Sequence, residues 1–106
     1  MRHINVVELD ELMKATGDKP LLIDVREKWE FDICHLEDST LIPMRQIPEA
    51  LDNLDPEQHT VVICHSGIRS QQVCIYLEHA GFNNVWNLTG GVHAWATQID
   101  RRMATY

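Results

Sequence analysis

Short apolar runs alternate with segments of helical periodicity along this 106-residue chain, and that alternation limits the architectures open to it. Leu21-Leu22-Ile23, Thr60-Val61-Val62-Ile63 and Val85-Trp86-Asn87-Leu88 are strand-length, and the first two are apolar enough to be covered on both faces. Ile4 ends a further short run, and Thr40-Leu41-Ile42, closed by Pro43, is another. Between these runs the period changes. Leu9, Leu12 and Met13 share a helical face that opens on Asn5-Val6-Val7-Glu8, a capping-box variant, and stops at Gly17 and Pro20. Trp29 to Ile33 reads as a short helix. Met44, Ile47, Leu51 and Leu54 mark one amphipathic helix with Pro48 near its start, followed by a turn at Asp55-Pro56-Glu57. Val73, Tyr76, Leu77 and Ala80 belong to a helix beginning at about Ser70 and capped by Gly81. Gly90-Gly91 opens a last helix with Val92, Trp95, Ala96 and Ile99 on one face, and residues 100–106 are polar and expected to fray. Strands that alternate with helices demand a parallel sheet with helices on both faces. Ligands in such folds bind at the carboxyl ends of strands.

Cys64 stands at one such end, directly after Thr60-Val61-Val62-Ile63, and Asp24 stands at another. The loop Cys64-His65-Ser66-Gly67-Ile68-Arg69-Ser70 leads from strand to helix. A helix N-terminus leaves backbone N–H groups unpaired and partly positive. Gly67 lets the loop curl and turn its N–H groups inward, and Arg69 adds a permanent cation with a forked donor array. Such a cradle holds an anion and lowers the pKa of a thiol inside it, to roughly 3.5–7.5 from about 8.5. Packing alone asks for neither Gly nor Arg at these offsets, so Cys64 reads as a reactive thiolate and not as an ordinary core cysteine.

Cys64-x-x-Gly67-x-Arg69-Ser70 resembles the active-site loop of the rhodanese (thiosulfate sulfurtransferase) family. Asp24-Val25-Arg26-Glu27 is similar to that family's D-x-R-E segment, and Glu30 to Leu36 to its E-F-x-x-G-H-I segment. Gly81-Phe82-Asn83-Asn84-Val85 resembles its G-F-x-x-V, and Leu88 to Trp95 its L-x-G-G-x-x-x-W ending. These segments cover nearly the whole chain in the family's order. The resemblance implies a three-layer α/β fold with five parallel strands, formed by residues 1–106 as one domain. Cys34 departs from the pattern by standing where the family has Gly, and Glu37-Asp38-Ser39 replaces its x-G-A. That substitution puts a second thiol in a segment the family places near the catalytic loop. A Cys34–Cys64 disulfide formed under oxidation is one reading of it, and a thiol buried elsewhere is the plainer one.

The chemistry implied is sulfur transfer. Cys64 attacks the outer sulfur of thiosulfate or another sulfane donor, keeps it as a persulfide, and yields it to cyanide or a thiol. Arg69 orients the anionic donor. His65, Ser66, Gly67, Ile68 and Ser70 line the donor site, although His65 reads equally well as a solvated loop side chain. Asp24, Arg26 and Glu30 brace the loop, with Arg26 paired to Glu30. Cys74 lies beside Val73 and reads as inert core, as does Trp95. Two rivals use the same residues. Phosphatase or arsenate-reductase chemistry shares the strand–Cys loop–Arg–helix cradle, but related phosphatases carry C-x5-R, whereas His65, Ser66, Gly67 and Ile68 alone separate Cys64 from Arg69. A sulfur carrier passing persulfide sulfur between protein partners fits every motif and differs only in its substrate.

The remaining expectations are exclusions. A net charge of −7 disfavours nucleic acid. No apolar run approaches a membrane span of ~18–20 residues, and Met1-Arg2-His3-Ile4-Asn5 lacks the apolar stretch of a secretion signal. A cytoplasmic monomer is the resulting expectation. Three cysteines make an odd set without framework spacing, which fits a reducing compartment. The Cys34-His35 and Cys64-His65 pairs lack zinc-site spacing. No metal or organic cofactor is called for.

Overall fold

The computed structural model describes residues 1–106. Five strands form one all-parallel sheet in the order β1-β5-β4-β2-β3, with β1 Arg2–Ile4, β2 Leu21–Asp24, β3 Thr40–Leu41, β4 Thr60–Ile63 and β5 Val85–Leu88. The most apolar run takes the centre: all four residues of β4 are buried, with β2 on one side and β5 on the other. The two edge strands are the shortest, which limits open sheet edge. Alternation along β4 sends Val61 and Ile63 into one core and Val62 and Cys64 into the other. The first core also holds Ile4, Leu9, Leu22 and Leu88 and lies under α1 (Val6–Lys14) and α5 (Gly91–Gln98). The second holds Ile23, Val73, Leu77 and Val85 and lies under α4 (Ile68–His79). The result is the expected sandwich of helix, sheet and helix.

Capping boxes fix the starts of two helices. The Asn5 side chain accepts from the Glu8 N–H at 2.8 Å while Glu8 accepts from the Asn5 N–H at 3.0 Å, which fixes the start of α1. The short α2 (Lys28–Ile33) begins where the Glu30 carboxylate accepts from the Glu27 N–H at 2.8 Å.

Three expectations are corrected. The central helix starts at Ile68, two residues before Ser70, because Gly67 at φ 108° makes the left-handed turn that launches it. The segment 44–54 is not one helix. It breaks into 3-10 turns at Met44–Gln46 and Leu51–Asn53 around a four-residue α3 (Ile47–Ala50), because Pro48 has no N–H and must stand in a helix's first turn. The terminal segment, expected to be loose, is tied at its end: Tyr106 hydrogen-bonds Arg26 and Glu30 at the carboxyl end of the sheet.

Candidate active site

Cys64 leaves the central strand at its carboxyl end and is buried, at 1% exposure. Two helix N-termini, those of α4 and α5, shape the loop that it begins. The α5 amides of Val92 and His93 donate to the carbonyls of Cys64 and His65 at 2.9 and 3.0 Å. Gly91 permits this approach: a Cβ there would stand 2.3 Å from the Cys64 carbonyl oxygen and 2.5 Å from that of His65. With its carbonyls held by α5, the loop has its N–H groups free to face inward. The Gly67 N–H donates to Cys64 Sγ at 3.0 Å, and Ser70 Oγ lies 3.3 Å from the sulfur. Burial alone would raise the thiol pKa. The Ser70 hydroxyl and the N–H groups of Ser70, Gly67 and Ser66 outweigh it and leave the pKa below the ordinary thiol value.

The charged groups around this loop form one connected set, and their pairing differs from expectation. Arg26 is wholly buried and pairs with Asp24, not Glu30: its Nε and Nη2 donate to the Asp24 carboxylate at 2.7–3.1 Å. The residues two apart at the end of β2 place guanidinium and carboxylate side by side, and only the Glu30 backbone carbonyl comes near Arg26, at 3.4 Å. Nη2 also donates to the Cys34 carbonyl at 2.6 Å. The Glu30 carboxylate is taken by Arg69, through two parallel bonds of 2.8 Å. That pairing, opposed by burial and helped by the Glu27 N–H and the Tyr106 hydroxyl, holds Glu30 down at about 2. Arg69 is correspondingly pushed up and stays fully charged.

Of the other loop positions, Gly67 is buried, Ser66 is exposed, and Ile68 turns outward with 69% exposure. His65 is half-buried. Its ring stacks on Tyr106 at 4.3 Å between centroids and meets the edge of His93 at 5.9 Å. Cys74 is packed in the core below, where burial pushes its thiol up to about 12. Cys34 is buried in the core on the opposite face of the sheet from Cys64. It reaches the site through its backbone carbonyl alone, and the geometry gives no support to a Cys34–Cys64 disulfide. No three His, Cys, Asp or Glu side chains converge as a metal site would require.

Two residues of the site carried no expectation. Tyr106 accepts from Arg26 Nη1 at 2.8 Å and donates to Glu30 at 3.0 Å, so its phenol bridges the two charged pairs. A lone terminal tyrosine after polar residues gives no sequence signal for this. Asn87 is buried on β5, accepts from Ser70 Oγ, and donates to the Gly67 carbonyl at 3.3 Å. A signal for it existed: strand alternation puts Asn87 on the covered face shared with Val85, and a buried amide must find partners.

Residues 6–98 match the Rhodanese-like domain. The Rhodanese-like/PpiC domain-containing protein 12, chloroplastic, of Arabidopsis thaliana is 38% identical over 112 residues, covering 100% of this chain but 38% of that protein. The chain thus spans little more than a third of the length of that relative. The putative sulfurtransferase YtwF of Bacillus subtilis is 39% identical over 95 residues and covers 90% of each chain. In structure, the rhodanese-like domain protein of Staphylococcus aureus matches with a TM-score of 0.84 at 32% identity, over 90% of this chain and 91% of that one. Sheet order, the cysteine at the end of the central strand, and these matches agree: the chain belongs to the rhodanese-like family.

Proposed function

We propose that the protein is a sulfurtransferase that carries sulfane sulfur as a persulfide on Cys64, with thiosulfate or a similar anion as donor and cyanide or a thiol as acceptor. The observation that supports it is the cradle itself: a buried sulfur at a strand end receiving the Gly67 N–H at 3.0 Å, in a loop with four residues between Cys64 and Arg69. The thiolate Sγ forms a bond to the outer sulfur of the donor. The donor's S–S bond breaks, and sulfite leaves with the electron pair. The terminal sulfur of the persulfide then carries the negative charge, and the inward N–H groups of the loop stabilise that charge without moving a proton. An acceptor anion attacks that terminal sulfur, and Cys64 Sγ departs as thiolate. No redox partner, metal or organic cofactor enters the balance, and one chain supplies every group used. Arg69 offers its remaining N–H donors to the incoming anion while Glu30 keeps its fork oriented.

The Arg69–Glu30 pairing also favours a second reading, in which the donor or acceptor is another protein's persulfide or thiol. A cation already matched by a carboxylate attracts a small free dianion less strongly than a bare one. Intact mass measurement after thiosulfate treatment tests the first reading. It should show a gain of one sulfur atom, lost on cyanide addition and absent in Cys64→Ser. No gain with thiosulfate, but a gain from a persulfidated protein donor, would select the second.

A further inference from the structure

Ser70 has one hydroxyl hydrogen and two claimants for it. Cys64 Sγ lies 3.3 Å away on one side, and the Asn87 side-chain oxygen accepts on the other. The amide cannot relieve the conflict by turning over. Its Nδ2 donates to the Gly67 carbonyl at 3.3 Å, an oxygen that can only accept and already receives the Gln71 N–H at 3.3 Å. A flipped amide would set two acceptor oxygens face to face. Asn87 is therefore held with its oxygen toward Ser70, within a site where the hydroxyl, the amide and the sulfur are all buried.

We infer that Asn87 is a positioning residue for sulfur transfer: it holds the Ser70 hydroxyl hydrogen whenever Cys64 Sγ is uncharged and surrenders it when Sγ is a thiolate. The inference rests on the persulfide chemistry proposed above and tracks the charge through its steps. In the resting thiol, Cys64 S–H donates to Ser70 Oγ and Ser70 O–H donates to Asn87. When the thiol proton leaves to water, the sulfur becomes the stronger acceptor, the hydroxyl rotates to it, and the Asn87 oxygen is stranded. Once sulfur is transferred, the negative charge moves to the outer atom of the persulfide. Sγ is neutral again, and the hydroxyl returns to Asn87. Asn87 thus favours thiol and persulfide over free thiolate. It restrains the unloaded nucleophile and stabilises the loaded form.

The titratable groups facing this network are few. Arg69 and Cys74 come from α4, His65 and His93 flank the loop, and His3 of β1 has its Nδ1 3.5 Å from Asn87 Nδ2. None of them competes for the Ser70 hydrogen.

The test is the pH profile of Cys64 alkylation by iodoacetamide, which reads thiolate without any sulfur donor. It remains informative even if thiosulfate is not a substrate. A Cys34→Ser, Cys74→Ser background isolates the signal. Ser70→Ala should raise the midpoint by about 1 pH unit, and Asn87→Ala should lower it by about 0.5–1 unit, since the freed hydroxyl then belongs to the sulfur. In the Ser70→Ala background, Asn87→Ala should produce no downward shift. Asn87→Leu, which keeps the volume of the buried site, repeats the measurement if the alanine variant does not fold. An unchanged or raised midpoint in the Asn87 variants, or the same downward shift with and without Ser70, would overturn the inference. Failure to form a persulfide, with these shifts intact, would count against the proposed function alone.

Discussion

Cys74 is as buried as Cys64, yet burial pushes its thiol up to about 12 while the Cys64 thiol is drawn below its ordinary value. The difference is local. Cys74 sits within α4, where the amides are already paired along the helix, whereas Cys64 faces N–H groups that the loop leaves free. Cys64→Ser should therefore abolish sulfur transfer, and Cys74→Ser should leave it within about 2-fold of wild type, since an alcohol replaces a thiol that does not ionise. Rates with thiosulfate and cyanide for both variants check this, and transfer by Cys64→Ser would remove the mechanism. Tyr106 presents the other residue-scale case. Its phenol bridges Arg26 and Glu30, and its ring covers His65. Tyr106→Phe keeps the ring and deletes the bridge, and should cost about 1 kcal/mol in urea unfolding. Tyr106→Ala also uncovers His65 and should cost more. Equal midpoints for Phe and wild type would mean that the bridge adds nothing.

At the scale of elements, the site exists because α5 starts where it does. Its first amides grip the Cys64 and His65 carbonyls, and Gly91 at φ 58° is what lets them approach. A methyl group there would run into the Cys64 and His65 carbonyls, so Gly91→Ala must push α5 away from the loop. It should cost about 2–4 kcal/mol and at least 10-fold in transfer rate. Gly17→Ala is the control. Gly17 also has positive φ, 105°, but nothing lies within 4 Å of the added carbon. It should cost about 1 kcal/mol of backbone strain and leave the rate unchanged. The contrast shows what could be read from the sequence. Elements were legible where period and caps coincide: β2, β4, β5, α1 and α5 are set by short apolar runs, Asn5 with Glu8, and Gly90-Gly91. That Cys64, Gly67 and Ser70 meet in one loop was legible because strand end, glycine and helix start are adjacent in the chain. The 44–54 segment departs from expectation because its apolar spacing looks helical while Pro48 divides it. Arg26 is four positions from Glu30, a spacing that suggests a pair, but it is bonded to Asp24, two positions back. Glu30 reaches Arg69 across 39 positions and Tyr106 across 76, separations at which no local pattern operates.

For the whole molecule, those long-range bonds join elements that share little else. Asp24 and Arg26 at the end of β2, Glu30 of α2, Arg69 of α4 and Tyr106 at the chain's end form a continuous chain of ion pairs and hydrogen bonds. Glu30 is its hub, since its carboxylate accepts from Arg69, the Glu27 N–H and Tyr106. The consequence is a defined acid sensitivity. Glu30 titrates at about 2 in the folded protein, against an ordinary 4.5 in the unfolded chain. The native state therefore binds this proton less readily than the unfolded state. Its contribution is complete above pH 4.5 and is lost as pH falls toward 2. The difference corresponds to an amount on the order of 3 kcal/mol, delivered at up to about 1.4 kcal/mol per pH unit while one proton separates the two states. Glu30→Gln removes the titration and leaves Arg69 without its counter-charge. That variant should be less stable at pH 7, and its stability should fall less steeply between pH 4.5 and pH 2 than that of wild type. Urea unfolding in steps across that range gives both slopes. Parallel slopes would show that the carboxylate is not the acid-labile link between α2 and α4, and that other acidic groups govern acid unfolding.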